Sequence, residues 1–115
     1  MQPINRNAII VSAKNPLIDW VNTLDPKNPM PYRNPLAYDE STVYLIDVLD
    51  TEEDFREWLS ENYLEIFEEE LYSWITDDSL WPNPLTFDLF NTWISVSYQS
   101  MVMDMSPDEP LVYDE

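Results

Sequence analysis

Apolar positions change period several times along this chain, and each change marks an element. Residues 7–13 (Asn-Ala-Ile-Ile-Val-Ser-Ala) are apolar and β-branched over a short run, which predicts a buried strand. Asn15-Pro16 then offers a helix start with proline at the first helical position. Leu17, Ile18, Val21 and Leu24 follow at helical spacing, with Trp20 beside them, until Asp25-Pro26 stops the helix. Residues 25–39 hold Pro26, Pro29, Pro31 and Pro35 with Met30, Tyr32, Leu36 and Tyr38 between them. That composition predicts an ordered or semi-extended loop, long enough to be a functional flap or a cover over the core.

Residues 43–49 predict a second strand. Tyr44, Ile46 and Val48 fall on one face and Val43, Leu45 and Leu49 on the other. A strand apolar on both faces is expected in the middle of a sheet. Asp50 or Thr51 then caps a helix whose first turn carries Glu52, Glu53 and Asp54, where the helix dipole favours negative charge. Phe55, Trp58 and Leu59 define one apolar direction, whereas Tyr63, Leu64, Phe67, Leu71, Trp74 and Ile75 define another, rotated by roughly 130° on a 100° wheel. This phase break predicts two helices, 51–60 and 62–75, joined at Ser60-Glu61-Asn62.

Thr76-Asp77-Asp78-Ser79 and Trp81-Pro82-Asn83-Pro84 make a loop, and Thr86 caps a last helix with Phe87, Phe90, Trp93 and Ile94 on its buried face. The period then changes to two, with Val96, Tyr98 and Val102 on one side of a strand and Met101, Met103 and Met105 on its second, buried side. The expected fold is a single α+β domain over residues 1–106. It has a three-stranded sheet (7–13, 43–49, 96–104), four helices (16–24, 51–60, 62–75, 86–94) and the order β-α-β-α-α-α-β. Residues 107–115 form a loose acidic tail with Leu111-Val112-Tyr113 as its anchor.

Composition adds two constraints. The 115 residues include no Gly, no Cys and no His. At ~7% average usage, a chain of this length lacks Gly roughly once in several thousand cases, so positive-φ turns and helix C-caps are expected to fall to Asn and Asp, and many turns to Pro. Without His or Cys, triads built on Ser-His or Cys-His and ordinary zinc sites cannot form. Without Gly there is no phosphate-cradling P-loop and no dinucleotide fingerprint. No apolar run approaches the ~18–20 residues of a membrane span, and Ala8 to Val11 is too short for a signal-peptide core of roughly 7–15 residues. A cytoplasmic protein is expected.

Charge is the second constraint. The 23 acidic against 5 basic residues give −18. Up to residue 38 the balance is +2, from Arg6, Lys14, Lys27 and Arg33 against Asp19 and Asp25; beyond it, Arg56 stands alone against 21 acids, a balance of −20. Such a field repels nucleic acid and anionic membranes and speeds encounter with basic proteins. It also serves plain solubility.

Three chemistries remain open. Paired carboxylates could act on a glycoside if two acids lie about 5–10 Å apart, and Asp19 beside Trp20 and Asp77-Asp78 before Trp81 are the aromatic-lined candidates; a surface helix position and a turn or cap are their structural alternatives. Asp47, Asp50, Glu52, Glu53 and Asp54 crowd one strand-to-helix junction, but the spacing and glycine of a calcium loop are missing, so loose counter-ion binding is the simpler expectation. The third is a binding surface. Glu53, Glu57, Glu61, Glu65, Glu68 and Glu69 follow the polar faces of the two middle helices, and Trp81, in its loop, is the expected exposed aromatic anchor.

Three stretches, residues 16–22 (PLIDWVN), 74–82 (WITDDSLWP) and 108–110 (DEP), together resemble small acidic bacterial proteins of uncharacterised function. The resemblance implies a bacterial cytosolic protein and implies no activity. The function expected from the residues is non-enzymatic, without cofactor or metal. The chain would bind a basic protein, such as a nucleic-acid-binding protein, through its acidic helices, as an inhibitor, immunity protein or DNA mimic. The alternatives are a carboxylate-based or divalent-ion-dependent enzyme, and a homodimeric structural module closed over the Met-bearing face.

Overall fold

The computed structural model describes residues 1–32 and 41–114. Its elements are β1 (Gln2–Pro3), β2 (Asn7–Ala13), α1 (Asn15–Leu24), β3 (Thr42–Ile46), α2 (Glu52–Trp74), a 3₁₀ turn (Asp78–Leu80), α3 (Phe87–Trp93), β4 (Ile94–Gln99) and β5 (Met103–Asp104). The α+β class is as expected. An antiparallel sheet has the order β3-β2-β4, and β1 and β5 form a separate short pair. Part of the predicted Pro-rich loop, residues 33–39, lies outside the described residues.

β2 is the central strand because its residues are buried toward both faces of the sheet. The expectation that residues 43–49 run centrally fails. β3 is an edge strand whose Val43 and Leu45 remain 60% and 50% exposed. Its apolar second face meets solvent among the described residues, and the chain leaves the strand after Ile46, turning Asp47 and Val48 outward. In register, Ile9 pairs with Tyr44 on one side and Tyr98 on the other. Paired residues share a sheet face, so Ile9, Val11, Tyr44, Ile46, Val96 and Tyr98 all point toward the core.

The two expected middle helices are one. α2 runs unbroken through Ser60, Glu61 and Asn62, giving three α-helices among the described residues rather than four. No Gly or Pro interrupts it, and a phase shift in apolar positions does not by itself break a helix. Ser60 Oγ donates to the Glu57 carbonyl at 2.7 Å and Asn62 Nδ2 to the Trp58 carbonyl at 2.8 Å, returning both side chains to the helix itself. Ile66 and Glu70 lie about 20° and 60° from Phe55 on the 100° wheel. They join the two apolar directions into one broad buried arc through Leu59, Phe67 and Leu71.

Phe67 and Phe90 are fully buried and meet edge-to-face at 5.4 Å, and Phe67 also meets Trp93 at 6.3 Å. Trp20 and Trp93 join α1 to α3 at 5.3 Å. Thr51 and Thr86 cap α2 and α3, accepting from the Asp54 and Leu89 amides at 3.0 and 3.1 Å. Two of the three C-termini depart from expectation: α1 ends on Asp25, but α2 and α3 end on isoleucine. Asp25, Ile75 and Ile94 end the three helices with φ of −139°, −135° and −124°, and no positive φ occurs among the described residues. Lacking Gly, α2 and α3 run straight into extended backbone at Ile75 and Ile94, whereas α1 passes through Asp25 into a turn, and Ile94, expected in the last helix, instead opens β4.

β4 ends at Gln99, so the strand expected over 96–104 is cut in two. Met101, Met103 and Met105 do not form a buried face; all three are exposed, because the chain bends at Ser100 and Met103 pairs with Pro3. Leu111, Val112 and Tyr113 are likewise exposed and anchor nothing among the described residues.

Candidate functional site

α2 is the element on which the candidate residues converge. At 1.5 Å per residue, its 23 residues span roughly 35 Å as one rigid rod. On the wheel, Glu53, Glu57, Glu61, Leu64, Glu68 and Tyr72 occupy one outward arc of about 100°, and all are exposed. Glu65 and Glu69, also exposed, sit further round, on the flank facing β3. The predicted set thus splits into an outward stripe and a rim. Arg56 pairs with Glu52 at 2.8 Å, near the helix start and off the stripe.

Among the described residues, one cavity lies between α2 and β3 and another where the end of α2 meets β2, α1 and residues 30–32. One, of about 270 Å³, is bounded by Tyr44 and Ile46 from β3 and by Trp58, Ile66, Glu65 and Glu69 from α2. The other, of about 420 Å³, continues toward the end of α2, with Thr42, Ser73 and Trp74 in its wall and Glu70 among its lining. Glu70 was not singled out by sequence. It is 7% exposed, and its Oε2 accepts from Thr42 Oγ1 at 3.0 Å and Tyr44 Oη at 2.8 Å. A signal existed: three consecutive acids, Glu68-Glu69-Glu70, cannot all share one polar face of a helix.

Burial, then the adjacent Glu70 carboxylate, hold the Tyr44 phenol's proton well above the usual tyrosine range. The folded-state pKa is therefore raised above the unfolded value near 10. The stability this contributes is fully present below about pH 10 and is lost as pH rises above it. Urea midpoints measured from about pH 8 to pH 11 should fall more steeply for the native chain than for Tyr44→Phe; parallel slopes would remove the Tyr44–Glu70 linkage.

Trp81 is not the exposed anchor expected. Its indole packs against the core, and its Nε1 donates to the Ile75 carbonyl at 2.8 Å. The exposed apolar side chains on the outward stripe are Leu64 (43%), expected to be buried, and Tyr72 (55%). Comparison with family models, with curated proteins and with solved structures found no match.

Two of the other candidate acids, Asp19 and Asp77, have local partners. Asp19 accepts from Tyr32 Oη at 2.7 Å, while Asn22 makes two bonds with Met30, at 2.7 and 3.0 Å; together they tie residues 30–32 to α1. That contact to Asp19 raises the Tyr32 phenol. Asp77 caps the 3₁₀ turn, accepting from the Ser79 amide at 3.0 Å and its hydroxyl at 2.6 Å, and these bonds lower its carboxyl below the usual range. Among the described residues, no three carboxylates are grouped so as to hold a metal ion, and no helix is long and apolar enough to cross a membrane. Glu70 is the single acid among the described residues lining the larger cavity.

Proposed function

We propose that this chain is a non-enzymatic, cytoplasmic acidic binding protein that engages a basic partner protein through the carboxylate face of α2. It would act as an inhibitor, an immunity protein or a DNA mimic directed at a nucleic-acid-binding protein. One observation carries this reading: Glu53, Glu57, Glu61 and Glu68 share the outward stripe of one unbroken helix with exposed Leu64 and Tyr72. Carboxylates one turn apart stand ~5.4 Å from each other, on the scale of the ~3.4 Å rise per phosphate in a DNA strand. Steering by the field brings the partner in, and Leu64 and Tyr72 supply the apolar contact that sustains docking.

The triple substitution Glu61→Gln, Glu65→Gln, Glu68→Gln should weaken partner binding at least about tenfold through lost charge complementarity. Stability should hold or rise, because the i,i+4 repulsion between Glu61 and Glu65 is relieved. Undiminished binding by the folded triple variant would exclude the stripe as the site. The exposed Met101, Met103 and Met105, with β3 at the edge of the sheet among the described residues, support a second reading as a homodimeric module. A monomer in sedimentation equilibrium at high micromolar concentration would remove that reading.

A further inference from the structure

We propose that the thioethers of Met101, Met103 and Met105, with that of Met1 beside them, form a binding site for a soft monovalent metal ion, Cu(I). The site does not depend on the function proposed for the stripe on α2. Thioether and thiolate sulfurs select Cu(I), and imidazole suits copper as well. This chain has neither Cys nor His, so its five methionines are the side chains left to hold such an ion. Four of the five gather at one end of the molecule. That end is the one at which Ala8 of β2 pairs with Gln99, whereas Thr42 enters the sheet toward the other end, opposite Val11.

The backbone brings the four together. Met103 and Asp104 of β5 pair with Pro3 and Gln2 of β1, and the Ile4 amide donates to the Val102 carbonyl at 3.1 Å, extending the pairing by one residue. Alternate residues of extended backbone share a face, about 6.6 Å apart at Cα. Accordingly, Met101, Met103 and Met105 are exposed, and Val102 and Asp104 between them are half-buried. The pairing of Gln2 with Asp104, carried one residue outward, sets exposed Met1 across from Met105. Directly opposed residues stand about 4.5–5.5 Å apart, and flexible, unbranched methionine side chains close on one ion from such separations. The one carboxylate within residues 101–105, Asp104, lies on the opposite face, and its Oδ1 accepts from the Ser106 amide at 2.7 Å. Hard ions such as Ca²⁺ take six or more oxygen ligands and are not served by a face of sulfurs. The −18 net charge enriches any cation near the surface.

The test is an anaerobic NMR titration of the full chain, isotope-labelled at its methionine methyls. Cu(I) held reduced by ascorbate and, separately, silver nitrate in chloride-free buffer are the probes; calcium, zinc and sodium nitrates at matched ionic strength are the controls. Saturable shifts of the Met1, Met101, Met103 and Met105 methyls are expected with both soft ions, at one ion per chain. Met30, tied through its backbone to Asn22 on α1, should not move. The triple substitution Met101→Leu, Met103→Leu, Met105→Leu keeps side-chain size and removes three sulfurs at exposed positions, so it should fold and lose saturable binding. Met103→Leu alone should weaken binding at least about tenfold, since loss of a group that merely supports a ligand already costs about 10–100-fold. That single variant keeps the test sharp if the triple one fails to fold. Shifts that reach Met30 equally, saturation unchanged in both variants, or an equal response to calcium or zinc would overturn the proposal. One ion per two chains would also overturn it, in favour of a contact between copies.

Discussion

Phe67→Ala should lower the unfolding free energy by about 3–5 kcal/mol, the range for truncating a fully buried phenylalanine. Phe67 sits at the midpoint of the packing between α2 and α3, with no surface exposed and the rings of Phe90 and Trp93 at 5.4 and 6.3 Å. Alanine there removes both aromatic contacts and leaves a void that neighbours on two different helices cannot easily close. A domain of this size has about 5–15 kcal/mol in hand, so the variant should be close to unfolding at room temperature. Phe55→Ala is the control. Phe55 is half-buried at the other end of α2, stacked on Tyr98 at 4.6 Å, and should cost less. Urea titrations with an unchanged slope would read both directly. A loss under about 1.5 kcal/mol at Phe67 would contradict the core described above.

Asn62→Pro discriminates between one helix and two. Inside a continuous α2, proline removes the Asn62 amide from the hydrogen-bond ladder and clashes with the Trp58 carbonyl, at a cost of about 3 kcal/mol or more. Were Ser60-Glu61-Asn62 a joint, proline would fall near a helix start, where it is well tolerated. The expected result is a large drop in urea midpoint with loss of helical ellipticity. An unchanged midpoint would restore the joint.

The continuity of α2 was concealed by two residues. Ile66, which belongs to neither of the two apolar directions, is buried, and Leu64, which belongs to the second, is exposed. Local signals elsewhere were sufficient. The β-branched run of β2, the proline in the first turn of α1 and the threonine caps Thr51 and Thr86 all act within a few residues, and each falls within one residue of the position expected from sequence. What sequence could not supply was tertiary. Apolar faces on residues 43–49 do not say which side of β2 the strand joins or whether anything covers Val43 and Leu45. Nor does Trp81 announce that the Ile75 carbonyl will take its indole proton.

The candidate site divides in the same way. Exposure of Glu53, Glu57, Glu61, Glu65, Glu68 and Glu69 follows from helical period and charge alone. Their division into stripe and rim required the unbroken helix. The burial of Glu70 required β3, because its two hydrogen-bond donors, Thr42 and Tyr44, lie 28 and 26 residues away along the chain.

The central claim, electrostatic recognition of a basic protein by α2, is tested most directly by the salt dependence of association with a partner recovered at low ionic strength. Between about 0.01 and 0.15 M salt the screening length shrinks from roughly 30 to 8 Å. The association rate should fall at least about tenfold over that range, with little change in the dissociation rate. An association rate that stays flat would contradict the account.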